Sequence, residues 1–250
     1  MSPQPPIQSS NQAGRTLGTG RDLRRRVLLH HVPLALASAI GLVVLIDVSP
    51  SHGGFSISQA ASPTGDVALV LLAVTLLIGP ANLMLRRRNP VNNYLRRDVG
   101  TWTAIFSVVH VIVGFQGHGG SVFGFVDYFV ADGRPLTNSF GLGNWTGLAA
   151  TVIVVGLLVV STDRYLRELK ARHWKDLQRL NYTLFALVVV HAVFYGALRR
   201  MTSPFTLVLV FTVIVVVLGQ AVGIWLWRRR NARTAAIVTS RERQPAGATR

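Results

Sequence analysis

Residues 96–116 read RRDVGTWTAIFSVVHVIVGFQ. Two arginines and an aspartate precede eighteen residues with no formal charge, and a histidine, His110, lies well inside that run. As a helix the run is about 27 Å long, close to the roughly 30 Å of a bilayer's hydrocarbon core. The same arrangement recurs at 178–198, QRLNYTLFALVVVHAVFYGAL, with His191 inside it. Counting comparable runs gives six predicted spans: Val27–Ile46, Val67–Leu85, Val99–Gln116, Trp145–Ser161, Leu180–Leu198 and Phe205–Trp227. The fold class is therefore all-α, an integral membrane bundle of six transmembrane helices.

Composition agrees. Half of the 250 residues are hydrophobic and 14% are charged, against about 25% charged in a soluble domain, and the mean hydropathy is +0.39. The net charge is +16, but it is sorted by loop. The N-terminus carries five Lys or Arg, the loop after span 2 five, the loop after span 4 six and the C-terminus seven. The intervening loops carry none, one (Arg134) and two (Arg199 and Arg200). That asymmetry places both termini in the cytoplasm. The basic charge is then a signal of topology and of anionic lipid, with no nucleic-acid partner implied. Residues 1–26 read as a disordered basic N-terminus, 27–227 as the membrane domain and 228–250 as a basic tail. Arg24-Arg25-Arg26 resembles the start of a signal peptide, but the apolar run that follows is too long and lacks a small-residue cleavage site, so span 1 reads as an uncleaved anchor. The expected location is a bacterial inner membrane.

Cysteine is absent, which excludes disulfides, thiolate metal sites, iron–sulfur clusters and covalent heme attachment. Of seven histidines, His110 and His191 lie deep in predicted spans, and each comes eleven residues after the basic end of its span. At 1.5 Å per residue both sit about 16–17 Å in, slightly past the midplane. Two neutral imidazoles at one level suit axial ligation of a b-type heme inside a bundle. The plainer alternative is that each is a polar interhelical contact. Zinc is less well served, since its sites use three or four protein ligands.

Thirteen residues before each histidine stand Arg97 and Gln178, about 20 Å away along each helix. A second stacked bis-histidine heme would need His at both positions, so one heme, in the outer half, is the better count. His30 and His31 read as interfacial and solvated. The outer loop 117–144 offers no ligand spacing, and Gly143-x-x-x-Gly147 and Gly219-x-x-x-Gly223 read as helix-packing motifs. Pro33 and Pro80 are expected to kink spans 1 and 2. The spans carry no Asp, Glu, Lys or Arg at depth that would suggest an ion relay.

Arg96-Arg97-Asp98-Val99-Gly100 before His110, and Trp174-Lys175-Asp176-Leu177-Gln178-Arg179-Leu180-Asn181-Tyr182 before His191, resemble the ferric reductase-like transmembrane family. That family includes the heme-binding membrane subunit of the bacterial methionine sulfoxide reductase system and the membrane domains of ferric reductases and NADPH oxidases. The resemblance covers roughly residues 79–200. It implies a transmembrane electron conduit with His110 and His191 as the ligands of the heme iron. Gln178 stands where the family often has His, which resembles one-heme metalloreductases with a flavin in the inner position. With the heme in the outer half, a second carrier near Arg97 and Gln178 shortens the path from a cytoplasmic donor. Flavin mononucleotide, flavin adenine dinucleotide or a quinone would serve, with Arg97 on a phosphate or carbonyl, Gln178 as donor and acceptor, and Trp174 stacked on the ring. The alternative leaves Arg97 and Trp174 as interfacial anchors. Arg199 or Arg200 is placed to meet a heme propionate, and a short loop tolerating two charges is the alternative.

No GxGxxG, Walker A, HExxH or GxSxG motif occurs, and the spans leave no length for a nucleotide domain. Electrons must then come from a separate flavin reductase or the quinone pool and leave to an acceptor, including a periplasmic or extracellular protein. The rival roles are a quinone-linked heme subunit serving a periplasmic reductase, and a transporter or scaffold with structural histidines. Oligomeric state is not legible.

Overall fold

The computed structural model describes residues 24–49, 56–85, 93–117, 122–162, 171–199 and 201–242. Six long helices run through them: α1 Arg24–Asp47, α2 Ile57–Met84, α3 Asn93–Gly117, α4 Ser139–Val160, α5 Ala171–Phe194 and α6 Pro204–Glu242. Five are long and apolar enough to cross a membrane, while α5 contributes a shorter apolar stretch, Arg179–Phe194. The protein is an all-α, multi-pass membrane bundle. Between α3 and α4 lie a 3-10 segment, Val122–Tyr128, and a small hairpin, β1 Val130–Ala131 and β2 Arg134–Pro135.

Four helices close a ring in the order α2–α3–α4–α5, so α3 and α5 stand at opposite corners. Helix α2 is the most enclosed of the candidate spans. Leu72, Ala104, Ala150, Val154 and Leu184 pack the middle of the ring. Helix α6 packs outside on α2, with Ala73, Leu76 and Val216 in the seam.

Several boundaries differ from the predicted ones. Helix α2 begins ten residues before Val67 because a capping box, Ser56 with Gln59, starts it. That brings Asp66 into a membrane-length helix, contrary to the reading that no acid lies at depth. Its Oδ2 is buried with no hydrogen-bond partner among the described residues. Helix α4 starts six residues early on Asn138, whose side chain accepts from the Gly141 amide at 2.8 Å. Helix α5 stops at Phe194 rather than Leu198, since Gly196 takes the left-handed conformation (φ +83°) that ends a helix. Helix α6 continues to Glu242, so much of the basic tail, 228–250, is helical.

The histidines of α1 are not solvated as expected. A π-turn, Val27–His31, precedes Pro33, whose missing N–H frees a carbonyl one turn back. The wider turn aims consecutive side chains at Asp98 of α3, which has no exposed surface. Arg26 Nε lies 3.0 and 3.1 Å from its two oxygens, His30 Nδ1 is at 2.7 Å and His31 Nε2 at 3.5 Å. Trp102 Nε1 donates to His31 Nδ1 at 3.3 Å, which directs the Nε2 proton of His31 toward the carboxylate.

Pro80 shows how α6 is held. Proline has no N–H to give the carbonyl four residues back, Leu76. Gln220 Nε2 of α6 supplies that donor at 2.8 Å, Tyr182 donates to Gln220 Oε1 at 3.3 Å, and Gly223 lets the Pro80 ring approach. Replacing Gln220 with Leu leaves a carbonyl orphaned and should cost about 1–3 kcal/mol. Thermal unfolding in detergent should show that loss, and Pro80→Ala in the Gln220→Leu background should recover part of it by restoring the helical N–H.

Candidate heme site

His110 of α3 and His191 of α5 face each other across the ring, with ring centres 6.1 Å apart and planes at 84°. Each is anchored to a different neighbouring helix. His110 Nδ1 donates to the Ala61 carbonyl of α2 at 2.8 Å. His191 Nδ1 donates to the Gly143 carbonyl of α4, also at 2.8 Å. A carbonyl accepts only, so both protons sit on Nδ1 and both Nε2 atoms keep a lone pair.

The two anchors share one local rule. Side chains in a helix lean toward its N-terminus, so residue i+4 covers the carbonyl of residue i. Four residues after Ala61 stands Gly65, and four after Gly143 stands Gly147. A Cβ on Gly65 would lie 3.0 Å from the His110 ring, and one on Gly147 would lie 2.7 Å from His191 Nδ1. Glycine at both places uncovers a carbonyl and seats an imidazole over it. Sequence reading took Gly143 and Gly147 as a packing motif and did not single out Gly65. The available signal was a glycine at matching depth on each helix flanking the histidines.

Residues predicted for the inner position fall at the basic end of the same ring. Arg97 lines a cavity of about 50 Å³ with Arg96, Thr101 and Asn181 at its polar parts, and Leu72, Val154 and Leu184 among its apolar walls. Arg96, Thr101 and Asn181 were not singled out from sequence. The volume has room for a few waters. Trp174 and Gln178 lie on α5, and their side chains are outside the described residues. Arg199 is exposed just beyond α5 in a 3-10 turn, and Arg200 lies outside the described residues. Among the described residues no group of three or more His, Cys, Asp or Glu is placed to hold a metal ion, and His110 and His191 offer two nitrogen donors.

Residues 64–189 match the model of the ferric reductase like transmembrane component. The chain belongs to that family. It is 27% identical over 210 residues to the protein-methionine-sulfoxide reductase heme-binding subunit MsrQ of Herminiimonas arsenicoxydans, covering 83% of this chain and 89% of the relative. Against the protein of the same name from Ralstonia nicotianae it is 30% identical over 207 residues, 82% and 87% of the two chains. The one from Deinococcus radiodurans is 28% identical over 163 residues, 65% and 75%. The matched segment contains His110, Gly65 and Gly147 and ends two residues before His191.

Gly147→Ala should push the His191 ring off its carbonyl and lower stability by about 1–3 kcal/mol. Gly156→Ala in the same helix, where a Cβ meets nothing within 4 Å, should be neutral or stabilising by up to about 1 kcal/mol. Parallel melts in detergent make the comparison.

Proposed function

We propose that this chain is a membrane electron-transfer subunit that holds one b-type heme between α3 and α5, with His110 and His191 as axial ligands. The observation that carries the reading is the histidine pair. Their ring centres lie 6.1 Å apart, and the two Nε2 lone pairs would hold one iron between them. The remaining nitrogen of each ring is committed to a carbonyl, the arrangement that orients a metal-bound histidine and raises its basicity. The relatives' description as heme-binding subunits supports the same cofactor.

Heme supplies a one-electron couple whose potential the protein sets through axial ligands, hydrogen bonds and burial. The chain's own residues do the rest. Gly65 and Gly147 seat the ligands, and Leu72 and Leu184 form apolar walls of the inner cavity. Arg199 and Arg200, beyond the outer end of α5, are assigned to the propionates. Arg97, with Arg96 beside it, anchors the phosphate or carbonyl of a flavin or quinone at the inner cavity. Both termini face the cytoplasm, where a separate flavin reductase or the quinone pool donates electrons, and the acceptor is a partner protein at the outer face. The name of the relatives, subunits of a reductase, favours a protein acceptor over a free ferric chelate.

A reduced-minus-oxidised absorption spectrum of the purified chain should show a b-type signal at one heme per chain, lost in both His110→Ala and His191→Ala. A chain without heme from heme-replete cells would overturn the reading. Arg97→Leu should keep full heme content but slow heme reduction by quinol or reduced flavin about tenfold, equivalent to about 1.4 kcal/mol. Stopped-flow absorbance measures that rate.

A further inference from the structure

The two histidines are held differently. Four residues after His110 stands Gly114, and a Cβ there would meet nothing within 4 Å. Four residues after His191 stands Tyr195, whose ring lies 4.9 Å from the imidazole, centre to centre. Tyr195 also lies against Gly143, where a Cβ would come 2.6 Å from its ring, and its hydroxyl donates to Asn144 Oδ1. Asn144 is buried, and its amide nitrogen donates to the Tyr128 carbonyl at 2.8 Å. Tyr128 in turn donates through its hydroxyl to the Phe115 carbonyl of α3 at 3.0 Å. Both ends of the Asn144 amide are therefore committed, which fixes its orientation.

We infer that Tyr195 and Asn144 are positioning residues for His191, forming a clasp that fixes the imidazole against the Gly143 carbonyl and ties it to the segment between α3 and α4. The inference rests on the proposed heme ligation. Asn144 follows Gly143 directly, so holding the Asn144 side chain holds the carbonyl that accepts from His191. Tyr195 packs over Gly143 and against one side of the imidazole, so the ring is held where it meets that carbonyl. A firm N–H···O bond gives the ligand more imidazolate character and favours the oxidised iron. Loosening the clasp weakens that bond and should raise the midpoint potential.

The test uses the full-length chain purified in detergent, comparing wild type, Tyr195→Phe, Asn144→Ala and the double variant. Heme per chain, midpoint potential by optical redox titration and the low-spin ferric electron paramagnetic resonance spectrum are measured for each. Tyr182→Phe, which removes a hydroxyl elsewhere on the same helix, is the control. Each single variant should keep its heme and shift the reduction equilibrium upward at least threefold, with a displaced ferric signal. A tenfold shift is about 59 mV for a one-electron couple. The double variant should shift no further than the larger single one, as expected of residues acting as a unit, and Tyr182→Phe should match wild type. Heme-replete variants with wild-type potential and spectrum, a downward shift, or additive effects would overturn the clasp. Absence of heme from the wild type would instead overturn the ligation on which it rests. If Tyr195→Phe fails to purify, Asn144→Ala alone carries the same outcomes.

Discussion

Backbone carbonyls that accept a side-chain donor from another helix organise this bundle. In hydrocarbon a polar backbone group must be satisfied within the protein, and in an unbroken helix each carbonyl is both bonded and covered. Here two carbonyls, those of Ala61 and Gly143, are uncovered by glycine, and each takes an imidazole at 2.8 Å. A third, that of Leu76, loses its helical donor to Pro80 and takes the amide of Gln220. A fourth, that of Leu83, accepts from Arg230 at 2.5 Å. These bonds join α2 to α3, α4 to α5, and α2 to α6 twice. Apolar surface gives no preference for helix over lipid, so such polar and small-residue contacts decide which helices are neighbours.

Much of this architecture is legible in the sequence. Apolar run length gives the helices, and equal spacing from a basic boundary puts His110 and His191 at one level. What the sequence does not display is which side chains lie across a helix boundary. Asp98 follows two arginines and reads as one more interfacial charge, yet a π-turn in α1 brings Arg26, His30 and His31 onto it from 67–72 residues away. Gln220 looks isolated in an apolar run until it is set beside the proline whose lost hydrogen bond it replaces. Gly65 sat just outside the predicted span, because polar and small residues at 58–66 masked a helix that a capping box had already started. Helix ends fail for one reason throughout: hydropathy marks where lipid contact stops, whereas caps and left-handed glycines mark where the helix stops.

The site makes its demands at few positions. The constraints fall on a handful of positions, a histidine and a small residue on facing helices at one depth, while most lipid-facing positions need only be apolar. Exposed Ile40, Val43, Val152 and Phe211, on three different helices, need only be apolar. The short carbonyl–imidazole–glycine sets are stricter, since one methyl group at Gly147 meets the ring it seats.

The Leu76–Gln220 bond spans 144 residues of chain, and that separation imposes an order on biogenesis. The chain emerges from its N-terminus, so α2 enters the bilayer with a carbonyl that no helix yet made can satisfy. His110 finds its anchor as soon as α3 follows α2, and His191 finds Gly143 once α5 follows α4. The exposed carbonyl of α2 waits for the last helix. Until α6 is released, the lateral face of α2 remains a sticky polar notch in the lipid, and its closure marks the moment the bundle becomes complete.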